Sequence, residues 1–175
     1  LNNCRGRVLD IGAGAGSHSL LLQANNFQVT ALEISPLACR VIEQRGVKNV
    51  VNDNIFHYDR DKYDTLLLLM NGIGLCGNIE GLKKLLVHLK TLLNPGGQII
   101  FDSSDIAYLY DDVTPKPNTY YGEVQFQYAF QNIDGEWFNW LYIDQENLKA
   151  IAESLNFKVE LLYEDENDQY LVKLY

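Results

Sequence analysis

Arg7-Val8-Leu9-Asp10-Ile11-Gly12-Ala13-Gly14-Ala15-Gly16-Ser17 is the stretch on which the reading of this chain turns. Its first five residues form a short apolar run suited to a buried strand, and the alternating glycines break that strand into a turn. Ser17 offers a helix cap, and Leu20, Leu21 and Ala24 give the next segment an inward apolar stripe to about residue 25. Glycines at such a turn let a ligand approach the backbone, and the helix start presents free N–H donors.

The same alternation continues outward. Residues 27–33 predict a second strand ending at Glu33, and Ser35-Pro36 is an N-cap followed by proline at the first helical position, opening a helix that stops at Gly46. Residues 47–51 and 63–70 predict strands three and four. Leu66 to Met70 are apolar in succession, as in a parallel strand covered on both faces. Asn78 caps a helix with Leu82, Leu85, Leu86, Leu89, Leu92 and Leu93 at helical spacing, Asn94-Pro95-Gly96-Gly97 ends it, and residues 98–102 form strand five. Repeated βα units with right-handed crossovers predict a three-layer α/β sandwich around a mostly parallel sheet.

The character changes beyond Asp105. Residues 106–175 carry 13 acidic against 4 basic side chains and 9 of the 11 tyrosines. Residues 120–131 and 136–143 flank Asn132-Ile133-Asp134-Gly135, whose Asp-Gly pair predicts a two-residue hairpin turn. In that register Phe126, Tyr128, Phe130, Trp137, Leu141 and Ile143 share one face. Gln125, Gln127, Gln131, Phe138, Trp140 and Tyr142 share the other. Asp144 caps a last helix to about residue 155, and residues 157–161 and 169–175, joined by a short link, are antiparallel strands.

Composition bounds the answer. A chain of 175 residues is one ordinary domain and needs no disulfide or metal staple. With 47% hydrophobic and 21% charged residues it is globular, not disordered. A net charge of −9 repels polyanions, and the densest basic stretch is Lys83-Lys84, so nucleic acid is disfavoured as a substrate. Cys4, Cys39 and Cys76 show no CxxC spacing; their odd number points to a reducing compartment, the cytoplasm. His18, His57 and His88 are dispersed, and no metal site is expected. No apolar run approaches the ~20 residues of a membrane span, and no signal peptide is recognisable. The chain starts at Leu1 with a strand almost at once. That predicts a single domain over residues 1–175 lacking an upstream segment, with residues 106–143 inserted in it.

Spacing and charge narrow the ligand. The dinucleotide fingerprint G-x-G-x-x-G needs a third glycine where Ser17 stands. A pyrophosphate about 5 Å from Asp10 would be repelled by roughly 3 kcal/mol at an effective dielectric near 20, whereas an ammonium or sulfonium would be attracted. Glu33, ending strand two, can accept hydrogen bonds from both hydroxyls of a ribose. The pocket asks for a ribose-bearing ligand with a cationic middle.

Val8 to Gly16 with Glu33, Tyr63-Asp64 entering strand four, and Leu93-Asn94-Pro95-Gly96-Gly97 before strand five resemble the class I S-adenosylmethionine-dependent methyltransferases. The resemblance covers residues 7–105, and the final helix and strand pair at 144–175 agree with it. It implies a seven-stranded sheet of order 3-2-1-4-5-7-6 with strand seven antiparallel, and S-adenosylmethionine as the cofactor over the tips of strands one to four. It implies that Gly12, Ala13 and Gly14 approach the methionyl part, that Asp10 helps hold its ammonium, that Glu33 binds the ribose, and that Ile34 lies on the adenine. The adenine amino group falls to Asp53 or Asn54 in Asn52-Asp53-Asn54-Ile55-Phe56, with Asn54 where relatives carry an acid before the apolar Ile55. Asn71 and Gly72 would lie beside the methionyl group and the reacting methyl.

The loop Asn71-Gly72-Ile73-Gly74 differs from the Pro-Pro-aromatic loop of nucleic-acid amino methylases, and Leu75-Cys76-Gly77 differs from the Cys setting of the cytosine-carbon enzymes. The acceptor implied is a small molecule or a protein side chain, with Phe138, Trp140 and Tyr142 as candidate contacts and no catalytic residue assigned. The first hairpin face would pack on the core and the second would line the acceptor pocket. The competing expectation is that an upstream segment or the mate in a homodimer covers that second face. Two other functions stay open: a module that binds the cofactor without catalysis, and a nicotinamide-dependent oxidoreductase, against which the missing third glycine and Asp10 argue.

Overall fold

The structure, a computed structural model, describes residues 2–175. β1 (Arg7–Ile11) is buried from Val8 onward because it runs between two parallel neighbours, β2 (Gln28–Glu33) and β4 (Tyr63–Leu68). With β3 (Val50–Asn52), β5 (Leu93–Ser104), β8 (Val159–Glu164) and β9 (Gln169–Leu174) they form a seven-stranded sheet of order β3-β2-β1-β4-β5-β9-β8. Strands β1 to β5 are parallel, and β9 is antiparallel to both β5 and β8. This is the expected order once two hairpin strands are counted between β5 and β8.

Helices cover both faces. α1 (Ser17–Ala24) and α2 (Pro36–Gln44) bury Leu22 and Ile42 against Val8, Val29 and Ala31 on one side. α3 (Ile79–Thr91) and α4 (Gln145–Ser154) lay Leu82, Leu85, Leu86, Leu89 and Leu148 on Leu9, Ile11 and Phe101 on the other. The helix starts written into the sequence are real caps: Ser35, Asn78 and Asp144 each accept the backbone N–H three residues on.

α1 departs from expectation. Its N-cap is Gly16 in a left-handed conformation, with no side-chain cap from Ser17. The inward residues are Ser19 and Leu22, whereas Leu21 and Ala24 are exposed and Leu20 is only partly buried. The cause is polar: the Ser19 hydroxyl donates to Asp10 Oδ2 at 2.5 Å, which fixes the roll of the helix over the β1 tip. Two strands are also shorter than expected. β3 starts at Val50, because Val47 packs on Ile42 after the left-handed Gly46. β4 stops at Leu68, because Met70 and Asn71 turn left-handed before a 3-10 turn over Gly72–Cys76.

β6 (Glu123–Phe130) and β7 (Ile133–Leu141) form a separate two-stranded sheet. Its turn is Gln131-Asn132, with Gln131 left-handed, and not Asp134-Gly135. Phe130 pairs with Ile133 and Ala129 with Asp134; a bulge then sets Gly135 and Glu136 opposite Tyr128. Beyond it Gln127 faces Trp137, Phe126 faces Phe138 and Val124 faces Trp140. An odd shift in register exchanges the faces of one strand relative to the other. Phe126, Tyr128, Phe138, Trp140 and Tyr142 therefore share one aromatic face, with ring centroids 5.2 to 6.4 Å apart, while Trp137 joins Gln125 and Gln127 on the opposite one. The expected division into two aromatic faces is corrected by this bulge. Only Leu141 and Ile143, at the root, enter the core.

That root is pinned. Tyr120 and Tyr121 donate to Asp144 Oδ2 at 2.5 and 3.4 Å, Tyr121 also donates to Asp105 Oδ1 at 2.7 Å, and Tyr170 donates to the Ile143 carbonyl at 2.6 Å.

Candidate active site

The tips of β1, β2 and β4 open on a cavity of about 580 Å³. Its floor is the glycine turn. Gly12 and Ala13 both donate their N–H to the Leu32 carbonyl, at 2.9 and 3.1 Å, which ties the turn to β2. Gly12 and Gly14 have φ of +70° and +58°, and a β-carbon on either would meet nothing within 4 Å. Glycine is needed there for the backbone conformation, and the space above is free for a ligand.

Glu33 lies at the cavity wall and is only 9% exposed. Its Oε2 accepts the Gly14 N–H and its Oε1 the Ser35 N–H, each at 2.9 Å. Both oxygens are thus aimed by backbone donors, and each keeps acceptor capacity for a further hydroxyl. Asp10 does not line the cavity. It is buried beneath the turn; burial pushes its carboxyl above the usual carboxylate range, against the opposing effect of the Ser19 hydrogen bond. Ala13 also faces away, into a cluster with Ala31, Ile42 and Val47.

One end of the cavity runs between Ile34 and the segment Asp53, Asn54, Ile55 and Phe56. Asp53 is engaged on both oxygens: Oδ1 accepts the Asn54 N–H at 2.8 Å and Oδ2 pairs with Arg60 at 2.9 Å. Asn54 Oδ1 accepts the Phe56 N–H at 3.0 Å.

The other end is bounded by Leu69, Met70, Gly72, Leu75, Tyr128 and Trp140. The Trp140 indole lies against Gly74, where a β-carbon would come within 2.1 Å of Nε1 and 2.7 Å of the Leu141 carbonyl. Phe138 and Tyr142 do not reach the cavity; they continue the aromatic face behind Trp140 and Phe126. Asn71 does not line it either. Its N–H donates to Asp102 Oδ2 at 2.9 Å, its amide donates to the Leu141 carbonyl at 3.2 Å, and its Oδ1 accepts the Ser103 hydroxyl at 3.0 Å. Ser103 Oγ in turn accepts the Ile143 N–H at 3.1 Å. Asn71 is thereby a clamp joining the turn after β4 to the end of β5 and the root of β7. Asp102 Oδ1 is left as a buried oxygen without a partner among the described residues.

Met70, Leu69, Leu75, Phe56 and Tyr128 line the cavity without having been singled out in the sequence. Tyr128 was legible only through the true turn: its left-handed residue is Gln131, which carries no turn signal, whereas the neighbouring Asp-Gly pair does. Among the described residues no group of three potential ligands could hold a metal ion, and no helix is long and apolar enough to cross a membrane.

A doubly wound sheet with a reversed last strand, an open glycine cradle and an acid locked at the tip of the second strand define the class I S-adenosylmethionine-dependent methyltransferases. The family model described as a methyltransferase domain matches residues 1–162, and the chain belongs to that family. A S-adenosylmethionine-dependent methyltransferase from Bacteroides fragilis, solved with S-adenosyl-L-homocysteine, is 40% identical over 99% of this chain and 73% of its own, with a TM-score of 0.91. A methyltransferase from Clostridium acetobutylicum (16% identity, 99% of this chain and 85% of that one, TM-score 0.69) shares the fold. So does the glycopeptide N-methyltransferase MtfA (14%, 99% and 82%, TM-score 0.70). No curated protein matches the chain. The protein is an enzyme that transfers methyl groups from S-adenosylmethionine.

Proposed function

We propose that the cavity seats S-adenosylmethionine with its ribose hydroxyls on Glu33, and that a small-molecule or protein acceptor approaches past the aromatic face of the hairpin. The observation that carries this reading is the Glu33 carboxylate, aimed by the Gly14 and Ser35 N–H groups beside two glycines with open space above them. Ile34 and Ile55 would hold the adenine ring between apolar walls, with Asp53 and Asn54 at its edge. Asp53 is paired with Arg60 and Asn54 Oδ1 accepts the Phe56 N–H, so either would receive the amino group on a remaining lone pair. Gly12 and Gly14 would face the methionyl part directly. Ala13 and Asp10 act from below: one ties the turn to β2, the other holds α1 and contributes negative charge near an ammonium. Gly72 would stand beside the reacting methyl, positioned by the Asn71 clamp.

When bound, the cofactor supplies a methyl group activated by a positively charged sulfur. Of the residues at that end, Leu69, Met70, Gly72, Leu75, Tyr128 and Trp140, only Tyr128 carries a group able to move a proton, so their main contribution is to hold an acceptor in line and exclude water. Such positioning can lower a barrier by up to ~7–11 kcal/mol. The three cysteines are unpaired, in support of a reducing, cytoplasmic setting. Titration calorimetry with S-adenosylhomocysteine and with NAD tests the reading. The first binds at one site per chain and the second does not; NAD binding with equal or greater affinity would overturn it.

A further inference from the structure

The acceptor side of the cavity has a charge pattern of its own. No Lys or Arg occurs between Lys62 and Lys83, which spans β4 and the turn after it, and none between Lys116 and Lys149, which spans the hairpin. Arg60, which bears on the opposite end of the cavity, is neutralised by Asp53. The same segments carry Asp64, Glu80, Glu123, Asp134, Glu136, Asp144 and Glu146. A carboxylate or phosphate acceptor would give up its hydration here and find no counter-charge. A positive group finds the reverse. The aromatic side chains of Tyr128 and Trp140 border the cavity, with Phe138 at 5.2 and 6.1 Å from them and Phe126 beyond. Ring faces attract ammonium groups, most of all where water is excluded, and tryptophan is the best of them.

We propose that the methyl acceptor is an amine, its nitrogen received by the ring faces of Trp140 and Tyr128. This rests on the cofactor placement proposed above. In the transfer, the nitrogen lone pair forms the new N–C bond, and the C–S bond breaks with its electron pair left on sulfur. The positive charge moves to nitrogen, inside the aromatic wall, and an N–H proton, where the amine has one, leaves to water. The rings favour the state in which nitrogen is charged, which is the state being formed.

The test uses three isosteric probes on the whole protein saturated with S-adenosylhomocysteine: choline, 3,3-dimethylbutan-1-ol and 3,3-dimethylbutanoate, with binding read from backbone amide shifts in NMR. Choline binds about tenfold tighter than the uncharged alcohol, and the carboxylate binds weakest. Trp140→Leu weakens choline about tenfold, Trp140→Phe retains most of the affinity, and both still bind S-adenosylhomocysteine. Should Trp140→Leu not fold, Tyr128→Leu, at an exposed position, serves in its place with a loss of about threefold. Equal binding of choline and the alcohol, or tighter binding of the carboxylate, overturns the amine proposal alone. Failure of the wild-type protein to bind S-adenosylhomocysteine overturns the cofactor placement and this proposal with it.

Discussion

Glu33 is where the sequence reading and the geometry meet most closely. Both its oxygens receive a backbone N–H, so replacement by glutamine turns an NH₂ group toward the Gly14 or the Ser35 donor and removes the charge that strengthens hydrogen bonds to a ribose. Glu33→Gln should lower S-adenosylhomocysteine affinity by about 10- to 100-fold, as measured by calorimetry, with an unchanged far-ultraviolet spectrum. Gly74 is a different kind of position. A β-carbon there overlaps the Trp140 indole and the Leu141 carbonyl, neither of which can yield without moving the hairpin root. Gly74→Ala should cost about 1–3 kcal/mol of stability, read as a drop of several degrees in Tm. The glycine turn and Glu33 were legible because their roles depend on neighbours in sequence: a strand end, a turn and a spacing. Asn71 was not. Its three partners, Asp102 on its N–H and Ser103 and Leu141 on its side chain, lie 31, 32 and 70 residues away and make it a clamp.

Among the elements, the helix caps illustrate how local chemistry carries through to stability. Asp144 caps α4 through the Asn147 N–H and also accepts hydrogen bonds from Tyr120 and Tyr121. Burial alone would raise its carboxyl, but the Asn147 and tyrosine hydrogen bonds outweigh burial and hold it below the usual carboxylate range. A carboxyl depressed in the folded state adds stability that is complete above its unfolded value and is lost as pH falls through the folded one. Wild-type protein should therefore lose Tm below about pH 4, and Asp144→Ala, already less stable by about 1–2 kcal/mol at neutral pH, should lose less over the same interval. Thermal melts from pH 6 to pH 3 check this. Asp10, raised by burial, has the opposite sign: its cost to stability grows as pH rises from the unfolded value through the folded one. The caps at Ser35, Asn78 and Asp144 could be read directly because the donor lies three residues on. The hairpin register could not, since a bulge at Gly135 uses that glycine inside a strand, where the same Asp-Gly pair imitates a turn. The roll of α1 was missed for a related reason: a buried Ser19–Asp10 hydrogen bond, not an apolar stripe, sets it.

For the molecule as a whole, sheet order was legible through the resemblance to the methyltransferase family, while the βα repeats by themselves gave a parallel sheet and the short link between β8 and β9 an antiparallel pair. The shape of the acceptor side was the least legible, because it is made by the hairpin, the turn after β4 and the β5 tip coming together through Asn71 and Ser103. The proposed division of labour rests on an acid fixed by backbone donors at the β2 tip and on aromatic side chains, in segments without Lys or Arg, at the other end of the cavity. Everything proposed for the second half of the site depends on the first. A crystal structure of the protein with S-adenosylhomocysteine tests that dependence most directly. The account predicts the nucleoside across the β1 and β2 tips, with both ribose hydroxyls at about 2.6–3.0 Å from the Glu33 carboxylate. A nucleoside bound elsewhere, or seated there with its ribose turned away from Glu33, would contradict it.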